Sequence, residues 1–281
     1  MSAEPTTPAP ILLADSVTRL GPEHAGAVVV TGSHGGLIAA AYLAAAGVRA
    51  ALANDAGRGR DDAGVAGLAA LDGIGIAAAA VTHASARIGD ARDTFDRGVV
   101  SIANPGARAV GVEPGMTARR AAVCLAHAPW SRGRLASPAE QRITLVEGAS
   151  PLPAITGLDS IGLVEDADAG QVLVIGSHGA LHGGDPASAL PVAAAGAFFH
   201  DAGRGRDDAG VTRLPVLAAR GMPAATADFR SARIGDARSL WETGLLSCVN
   251  EVADRAGLRT AMRVRDAALR LREQATAGRP R

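Results

Sequence analysis

Short apolar runs that end in glycine recur along the chain. The two clearest are AVVVTGSHGG at 27–36 and QVLVIGSHGA at 171–180. Runs of this length without polar alternation are typical of strands buried on both faces of a parallel sheet. Segments of helical length lie between the runs, such as LIAAAYLAAAG at 37–47 and GDARSLWETGLLSCVNEVADRAG at 235–257, and each ends at a glycine that suits a helix C-cap. This alternation predicts an α/β fold in which a parallel sheet carries helices on both faces.

The same order of elements is written twice in the chain. The string DAGRGRDDAGV occupies 55–65 and 201–211, and SARIGDAR recurs with the same spacing. GSHG also occurs in both halves, before a two-residue insertion in the second copy. A long internal repeat indicates that one structural unit is used twice. We therefore predict a tandem duplication of a Rossmann-like βαβαβα unit, with a parallel-sheet, three-layer architecture and pseudo-twofold symmetry.

The extent of the repeats predicts the domain boundaries. The first α/β repeat is expected at 10–128 and the second at 154–273. The segment between them, 129–153, carries proline and serine and contains one short strand candidate, ITLVEG. We interpret it as a linker.

The composition narrows the classes of function. The 281 residues include 28 basic and 28 acidic ones, and aromatic residues make up only 2%. This balance favours neither nucleic acid nor an anionic membrane as a partner. The sequence has no lysine, which excludes Schiff-base catalysis, lysine-bound pyridoxal phosphate and a Walker-type phosphate loop. We predict no cofactor, and expect anions to be bound by arginine, backbone amides or helix N-termini.

No segment has the pattern of a secretion signal or a membrane span. The opening MSAEPTTPAP lacks a basic region followed by an apolar run, and the later apolar runs are broken by glycine and charge. We expect a cytoplasmic protein with a small-molecule substrate, no nucleic-acid or membrane partner, and an oligomeric state left open between monomer and homo-oligomer.

Three repeated polar motifs each follow a predicted strand. GSHG follows the first strand, DAGRGRDD the second and SARIGD the third. In open α/β sheets, ligands bind outside the carboxyl ends of the strands, which is where these motifs fall. Apolar positions differ freely between the copies, whereas the polar loop residues do not. We therefore expect a ligand-binding or catalytic site in these loops.

The expected acid–base groups of this site are histidines in GSHG and aspartates at the next strand end. The histidines would transfer protons, and the aspartates would orient a histidine or an attacking water. The serines of GSHG are nucleophile candidates with an alternative role as helix N-caps. The catalytic candidates are His34, His178, Asp55, Asp201, Ser33 and Ser177.

The arginine-rich loops supply the expected anion-binding groups. Arginine binds carboxylates through two parallel hydrogen bonds, and glycine lets backbone amides approach an oxyanion. The predicted substrate-binding residues are Gly35, Arg58, Arg60, Ser85, Arg87 and Asn104, with Gly179, Arg204, Arg206, Ser231, Arg233 and Asn250 in the second copy.

Several of these loop residues also have a structural interpretation. Asp61 and Asp62 stand where they would cap the following helix, and Asp90 stands where it would cap the next one. Arg60 is placed to pair with Asp90, which would fix the loop geometry without any ligand.

The two copies differ beside the repeated motifs, and such a difference can locate the active half. The first copy has THA at 82–84 where the second has DFR at 228–230, and Asn54 is replaced by His200. The second copy also has LHGGDPASALP in place of the alanine-rich helix. This brings His178, His182, Asp185 and His200 into one neighbourhood, but the spacing matches no recognised metal motif and no metal site is assigned.

These observations predict an enzyme that acts on a small polar or anionic metabolite where the loops of the two repeats converge. Hydrolysis of an amide or related bond is the leading reaction class, with a histidine as base, arginines on the carboxylate and loop amides on the oxyanion. Isomerase or lyase chemistry would use the same groups. The alternatives are a non-catalytic small-molecule binding or sensor protein, and a structural homo-oligomer whose repeated loops form contacts.

Overall fold

A computed structural model describes residues 8–135 and 140–277 of the chain. These residues divide into two compact α/β units. The first unit holds the described residues before 136 except 58–62, together with 205–207. The second unit holds 58–62 and the residues from 140 onward except 205–207. Part of the predicted linker, 136–139, lies outside the described residues.

The first unit is a five-stranded sheet with helices on both faces. Its elements are β1 (Ile11–Ala14), β2 (Val28–His34), α1 (Leu37–Ala45), β3 (Ala50–Asn54), α2 (Gly67–Gly73), β4 (Ala77–Val81), α3 (Ala91–Arg97), β5 (Val100–Ala103), α4 (Pro105–Ala109) and α5 (Ala118–Leu125). The strands lie in sequence order, β1 to β4 are parallel, and β5 is antiparallel to β4.

The apolar strands of this sheet are buried because both faces are covered. Val28 and Leu52 pack with α5 on one face, whereas Val29 packs with α1 and α2 on the other. All three side chains have no exposed surface. Burial of a side chain of this size stabilises the fold by roughly 1.5–3 kcal/mol. The unbroken apolar runs of the sequence are thus explained by a sheet with no solvent-facing side.

The second unit is a six-stranded sheet with the same central order. Its elements are β6 (Arg142–Val146), β7 (Ile155–Leu158), β8 (Val172–His178), β9 (Gly196–His200), α6 (Arg213–Ala219), β10 (Ala224–Ala227), α7 (Ala237–Thr243), β11 (Leu246–Val249), α8 (Glu251–Arg255) and α9 (Val264–Ala277). The strand order is β11-β10-β9-β8-β7-β6, with β7 to β10 parallel and both edge strands antiparallel to their neighbours. The strand candidate in the predicted linker is present as β6.

The second unit differs from the first between its second and third parallel strands. The first unit has α1 there, whereas the second has an irregular segment at 181–191 with one short 3₁₀ turn at Pro186–Ser188. Leu181 and Leu190 of this segment are buried against β8, β9 and α6. The segment therefore supplies the apolar cover that α1 supplies in the first unit.

The structure confirms an α/β fold with two mostly parallel sheets and corrects the wholly parallel prediction. The stretch from Asp90 to Asn104, which by its likeness to 235–257 is expected to be one helix, is not, because α3 ends at Arg97 and β5 follows. The stretch at 235–257 is likewise interrupted by β11. In both places a glycine ends the helix and an apolar run follows; VVSIA after Gly98 is rich in β-branched residues, which favours a strand. Within the described residues, no helix combines the length and apolarity needed to cross a bilayer.

Candidate functional site

The two DAGRGRDD strings have the same left-handed backbone. We call residues 55–62 the first loop and 201–208 the second loop. In the first loop φ is 50° at Ala56, 63° at Arg58 and 54° at Asp61, and the equivalent residues of the second loop have φ of 50–58°. A left-handed conformation costs about 1–2 kcal/mol at a non-glycine residue and persists where surrounding contacts enforce it. Conservation of this string between the two halves therefore has a conformational cause as well as any chemical one.

The aspartates at the ends of the loops are not helix caps. α2 begins at Gly67, well beyond Asp62, and Asp62 instead accepts hydrogen bonds from Arg58 Nε and Nη2 at 2.9 and 2.8 Å. Arg204 Nε donates to Asp208 in the same way at 2.9 Å. These pairs are exposed, so each contributes at most about 1 kcal/mol. Arg58 and Arg204 are thus engaged inside their own loops.

The predicted pair between Arg60 and Asp90 is not formed. Arg60 Nη1 donates to the carbonyl oxygen of Ser231 at 3.1 Å. Asp90 caps α3 by accepting from the Asp93 backbone N–H at 2.8 Å, and Asp236 caps α7 in the same way. The N-cap interpretation of these two aspartates is confirmed.

In the first unit the buried carboxylate of Asp55 pairs with the partly exposed ring of His83. Asp55 ends the strand region of β3, and its Oδ1 lies 3.1 Å from His83 Nδ1. The same oxygen accepts the backbone N–H groups of His83 at 2.8 Å and of Gly57 at 2.9 Å. Burial opposes ionisation of Asp55, but the hydrogen bonds from His83 and Gly57 outweigh it and lower the pKa of the carboxyl. An ionised carboxylate on Nδ1 holds the proton there and makes Nε2 the basic nitrogen of the ring.

The equivalent position of the second unit lacks the histidine. Asp201 Oδ1 accepts from the backbone N–H groups of Phe229 and Gly203, both at 2.9 Å, so the loop contacts are kept. Phe229 stands where the first unit has His83. Burial raises the pKa of Asp201, the direction opposite to that of Asp55. The two carboxyls therefore share a structural role, and only Asp55 has a proton-transfer partner at this position.

Two arginines, Arg87 and Arg206, lie next to His83 in the first unit. Arg206 belongs to the first unit; its backbone N–H donates to the His83 carbonyl at 2.8 Å and its Nη1 to the Ser85 carbonyl at 3.4 Å. Arg87 Nη2 donates to Asp93 at 3.1 Å. Among the described residues, the Nε atoms of both arginines are buried and have no hydrogen-bond partner. Asp207 forms looser ion pairs with both of them: its Oδ2 lies 3.7 Å from Arg87 Nε and 3.6 Å from Arg206 Nε. A ligand anion beside His83 would therefore have to replace Asp207.

The corresponding arginines of the second unit are more fully engaged. Arg233 Nε donates to Asp61 at 2.8 Å, and its Nη2 lies 2.8 Å from the same carboxylate oxygen. Arg60 donates its backbone N–H to the Phe229 carbonyl at 2.8 Å. The loop contacts are again shared, but the Arg233 Nε donor that corresponds to Arg87 Nε is occupied.

The serines of GSHG are strand residues and not helix N-caps. Ser33 Oγ accepts from the Val17 backbone N–H at 3.0 Å, and Ser177 Oγ accepts from the Ile161 backbone N–H at 3.1 Å. The N-cap position of α1 is Gly36. Both serines lie inside their strands, which end at His34 and His178, and their hydroxyls hold the chain that follows β1 and β7.

The histidines of GSHG face backbone donors. His34 Nδ1 accepts from the Gly36 N–H at 3.1 Å, and His178 Nδ1 accepts from the Ala180 N–H at 3.3 Å. A ring that accepts at Nδ1 carries its proton on Nε2 when neutral, which leaves no basic nitrogen for catalysis. We therefore do not place the general base on either residue.

The amides of GSHG do not form the expected oxyanion site. Gly35 N–H donates to the Asn54 carbonyl at 3.0 Å, and Gly179 N–H donates to the His200 carbonyl at 2.8 Å. These glycines are needed for packing: a Cβ on Gly35 would lie 2.6 Å from Leu68 Cδ1. The loop amides are used by the protein itself.

Two predicted substrate-binding asparagines are structural. Asn104 Oδ1 accepts from the backbone N–H groups of Ala78 and Ala107, and Asn104 Nδ2 donates to the carbonyls of Leu68 and Ile76. Asn250 makes the same four bonds in the second unit. An amide side chain has two acceptor and two donor sites, so none remains for a substrate.

Two predicted substrate-binding serines are also structural. Ser85 Oγ donates to the Thr82 carbonyl and accepts from the Val99 N–H, and Ser231 does the same with Asp228 and Leu245. We therefore do not assign either asparagine or either serine to the candidate site.

His200 reproduces the contacts of Asn54. Asn54 bonds the Ala86 carbonyl and the Ala56 N–H, and His200 bonds the equivalent Ala232 carbonyl at 3.1 Å and Ala202 N–H at 3.0 Å. Burial lowers the pKa of His200 and favours the neutral ring. In the described part of the chain no three His, Cys, Asp or Glu side chains are grouped to hold a metal ion, so the neighbourhood of His178, His182 and His200 provides no such group.

The surface cavities only partly coincide with the loops. One of about 360 Å³ in the second unit is lined by Asp228, Arg230, Ser231, Leu245, Leu246 and Ala261. A larger one of about 580 Å³ lies at the amino ends of the strands, between residues such as Pro153, Gly170 and Pro223, and has no charged lining residue. A cavity without charged lining residues does not fit an anionic ligand. We therefore place the candidate site at the charged loops and not in the larger cavity.

His83 is not among the residues that the sequence predicts for the site. It stands outside the repeated strings, and its one sequence signal is the difference between THA at 82–84 and DFR at 228–230. Comparison of the chain with protein-family models, curated proteins and solved structures found no match. The candidate site therefore consists of Asp55, His83, Arg87 and Arg206 in the first unit, on geometry alone.

Proposed function

We propose that the protein is an enzyme that hydrolyses an amide or related bond in a small anionic metabolite, with His83 as the general base. The supporting observation is the 3.1 Å contact between His83 Nδ1 and the buried carboxylate of Asp55. The His83 side chain is 27% exposed, so the ring reaches solvent while its orienting carboxylate does not. A positioned base of this kind accelerates proton transfer by roughly 10²–10⁴-fold.

The proposed reaction uses each residue of the site once. His83 Nε2 takes a proton from water, and the water oxygen attacks the carbonyl carbon of the substrate. Asp55 stabilises the imidazolium that forms. When the C–N bond breaks, the leaving nitrogen takes the proton back from His83. Arg87 and Arg206 hold a carboxylate of the substrate through their Nε donors, which form no hydrogen bond in the free protein, and this carboxylate replaces Asp207 there.

Two other functions use the same residues. An isomerase or lyase would use His83 to remove a proton from carbon, and analysis of the product distinguishes it from a hydrolase. A non-catalytic small-molecule binding protein is favoured by a separate observation: the loop arginines occur in both halves, whereas the histidine occurs in one.

The shared details of the two units support the inference that they arose by tandem duplication of one Rossmann-like unit. Both loops have the same left-handed backbone, and Asn104 and Asn250 make the same four hydrogen bonds. The pseudo-twofold symmetry, the cytoplasmic location and a homo-oligomeric state remain predictions from the sequence.

The test is a screen for amine release with matched variants. The purified protein is incubated with carboxylate-bearing linear and cyclic amides, and the released amine is labelled with a fluorogenic reagent. We expect His83→Gln to abolish release and Phe229→Ala, the equivalent change in the second unit, to preserve it. Turnover that survives His83→Gln overturns the assignment of the base. Binding of an amide without turnover in the unaltered protein supports the binding-protein alternative.

A further inference from the structure

The second unit contains a buried cation with no anionic partner. Arg213, the first residue of α6, has no exposed surface. Its Nη1 donates to the carbonyl oxygens of Ser188 and Ala189, and its guanidinium lies 5.6 Å from the centroid of the Phe199 ring. Burial lowers the pKa of Arg213 to about 9, so the group is charged at neutral pH. Within the part of the chain that the structure describes, no carboxylate forms an ion pair with it.

This arrangement is costly for a purely structural residue. Burying an ion costs several kcal/mol unless an opposite charge and hydrogen bonds compensate, and fully buried arginines are almost always paired. The carbonyls of Ser188 and Ala189 and the ring of Phe199 are neutral groups that compensate only in part. A leucine or methionine would fill the same space without that cost. The unpaired charge therefore indicates that an anion completes the site.

The geometry of the guanidinium shows which anion fits. Nη1 is occupied by the two carbonyls, whereas the buried Nε has no hydrogen-bond partner among the described residues. Nη2 has one long contact, 3.4 Å to Nε2 of His182. Nε and Nη2 together form the planar edge through which arginine binds a carboxylate with two parallel hydrogen bonds.

The first unit has no counterpart of this arginine. Gly67 occupies the equivalent position, and a Cβ there would lie 2.3 Å from the carbonyl oxygen of Gly36. The first unit therefore cannot hold a side chain at this position, because the entry to α1 is packed against it. The second unit has the irregular segment 181–191 instead of α1, and Arg213 lies beneath it. The arginine thus accompanies a change that is specific to the second unit.

We propose that the Nε–Nη2 edge of Arg213 binds the carboxylate group of a small ligand beneath the segment 181–191. The carboxylate accepts the N–H groups of Nε and Nη2 and replaces His182 as the acceptor for Nη2. Entry requires the segment to open. Its residues 183–187 are exposed, so opening would not uncover a buried residue there, and Gly183 and Gly184 have left-handed φ of 59° and 75°, which glycine adopts without strain. This site uses neither Asp55 nor His83, so it stands independently of the proposed hydrolase.

The test compares anions at constant ionic strength. Thermal unfolding of the full chain is followed in sodium acetate, sodium phosphate and sodium chloride. We expect acetate to raise Tm saturably, by about 5 °C or more near a hundred times its Kd, and chloride to have no such effect. Arg213→Met should lose the acetate response. Stabilisation by phosphate alone, or an acetate response that survives in Arg213→Met, overturns the proposal.

Arg220 offers the matched control. It donates to the carbonyls of Leu190 at 2.8 Å and Pro186 at 2.9 Å, and so holds the same segment without lining the proposed site. Arg220→Met should lower Tm in chloride and keep the acetate response. If Arg213→Met fails to fold, ¹⁵N NMR of the unaltered protein decides: the Arg213 Nε–H resonance should shift with acetate and not with chloride. An unchanged resonance at saturating acetate rejects the site.

Discussion

The first and second units carry the same loop scaffold and differ at the position beside the strand-end carboxyl, where the first unit has His83 and the second has Phe229. Asp55 and Asp201 each accept two backbone N–H groups, from Gly57 and the residue at 83 in one unit and from Gly203 and Phe229 in the other. His83 adds a ring nitrogen to this arrangement and Phe229 does not. Polar residues that two related units share are thus mostly the ones that hold the loops, and the unshared residue locates the candidate active half.

The largest effect is expected from removing the histidine of the first unit. His83→Gln should reduce amide turnover by about 10²–10⁴-fold, because it removes the base while keeping a polar side chain. Phe229→Ala should change turnover less than about twofold on the same argument. Initial rates of amine release measure both. Equal losses in the two variants would mean that folding, and not proton transfer, is being measured.

Asn104 and Asn250 should be equally important for stability. Asn104→Ala leaves buried backbone groups of Ala78, Leu68 and Ile76 without partners and should lower the free energy of unfolding by about 3 kcal/mol. Asn250→Ala should cost about the same, since its four bonds are equivalent. Urea unfolding measures this. A cost below about 1 kcal/mol for either variant would contradict the structural role.

The comparison can also be reversed by restoring the missing group. In a His83→Gln background, Phe229→His should place a ring nitrogen beside Asp201 and recover activity at least about tenfold over His83→Gln alone. The control is Phe229→Gln in the same background, which should recover nothing. If the proposed base is correct but no recovery occurs, the second unit does not bind the substrate.

Much of the fold was predictable from the sequence, whereas the residues of the candidate site were predictable only in part. Strands buried on both faces of a parallel sheet have unbroken apolar sequences, so the pattern predicts the strands from β2 to β4 and from β8 to β10. The edge strands β5 and β11 were not, because each follows a helix after a single glycine and continues its apolar pattern. Left-handed backbone at Ala56 and Asp61 leaves no sequence signal, which is why Asp61 was taken for a cap. The pairing of Asp55 with His83 depends on a loop-to-strand distance that no spacing rule gives.

The two strand-end carboxyls should respond oppositely to pH. The folded-state pKa of Asp55 is lowered, so its contribution to stability is present above the unfolded pKa and is lost as the pH falls through the folded value. The folded-state pKa of Asp201 is raised, so stability is greater at low pH and decreases as the pH rises through the folded value. Asp55→Asn should therefore destabilise the protein at pH 7 more than Asp201→Asn does. The free energy of unfolding of the unaltered protein and of both variants is measured between about pH 3 and pH 7. The difference between the unaltered protein and each variant should change with pH in opposite directions for the two sites, and a change in the same direction would refute this assignment.

The smallest effect concerns the left-handed backbone. At Arg58, where φ is 63°, the glycine variant should be more stable than the valine variant by about 1 kcal/mol, because a β-branched residue is strained there. At Val123, an exposed residue of α5, the order should reverse, and Val123→Gly should cost about 0.5 kcal/mol. Thermal unfolding of these variants is the measurement. The same order at both sites would show that φ at Arg58 is not enforced.

The left-handed loops also set a limit on how these sequences can drift. A backbone that accepts few residue types slows substitution whether or not the residues take part in a reaction, and the eight residues of the two loops are identical whereas the helices around them differ. A catalytic histidine is protected only while its reaction is under selection. We therefore expect sequences that descend from this chain to retain the DAGRGRDD string more often than His83. The string would then identify relatives that no longer share the activity.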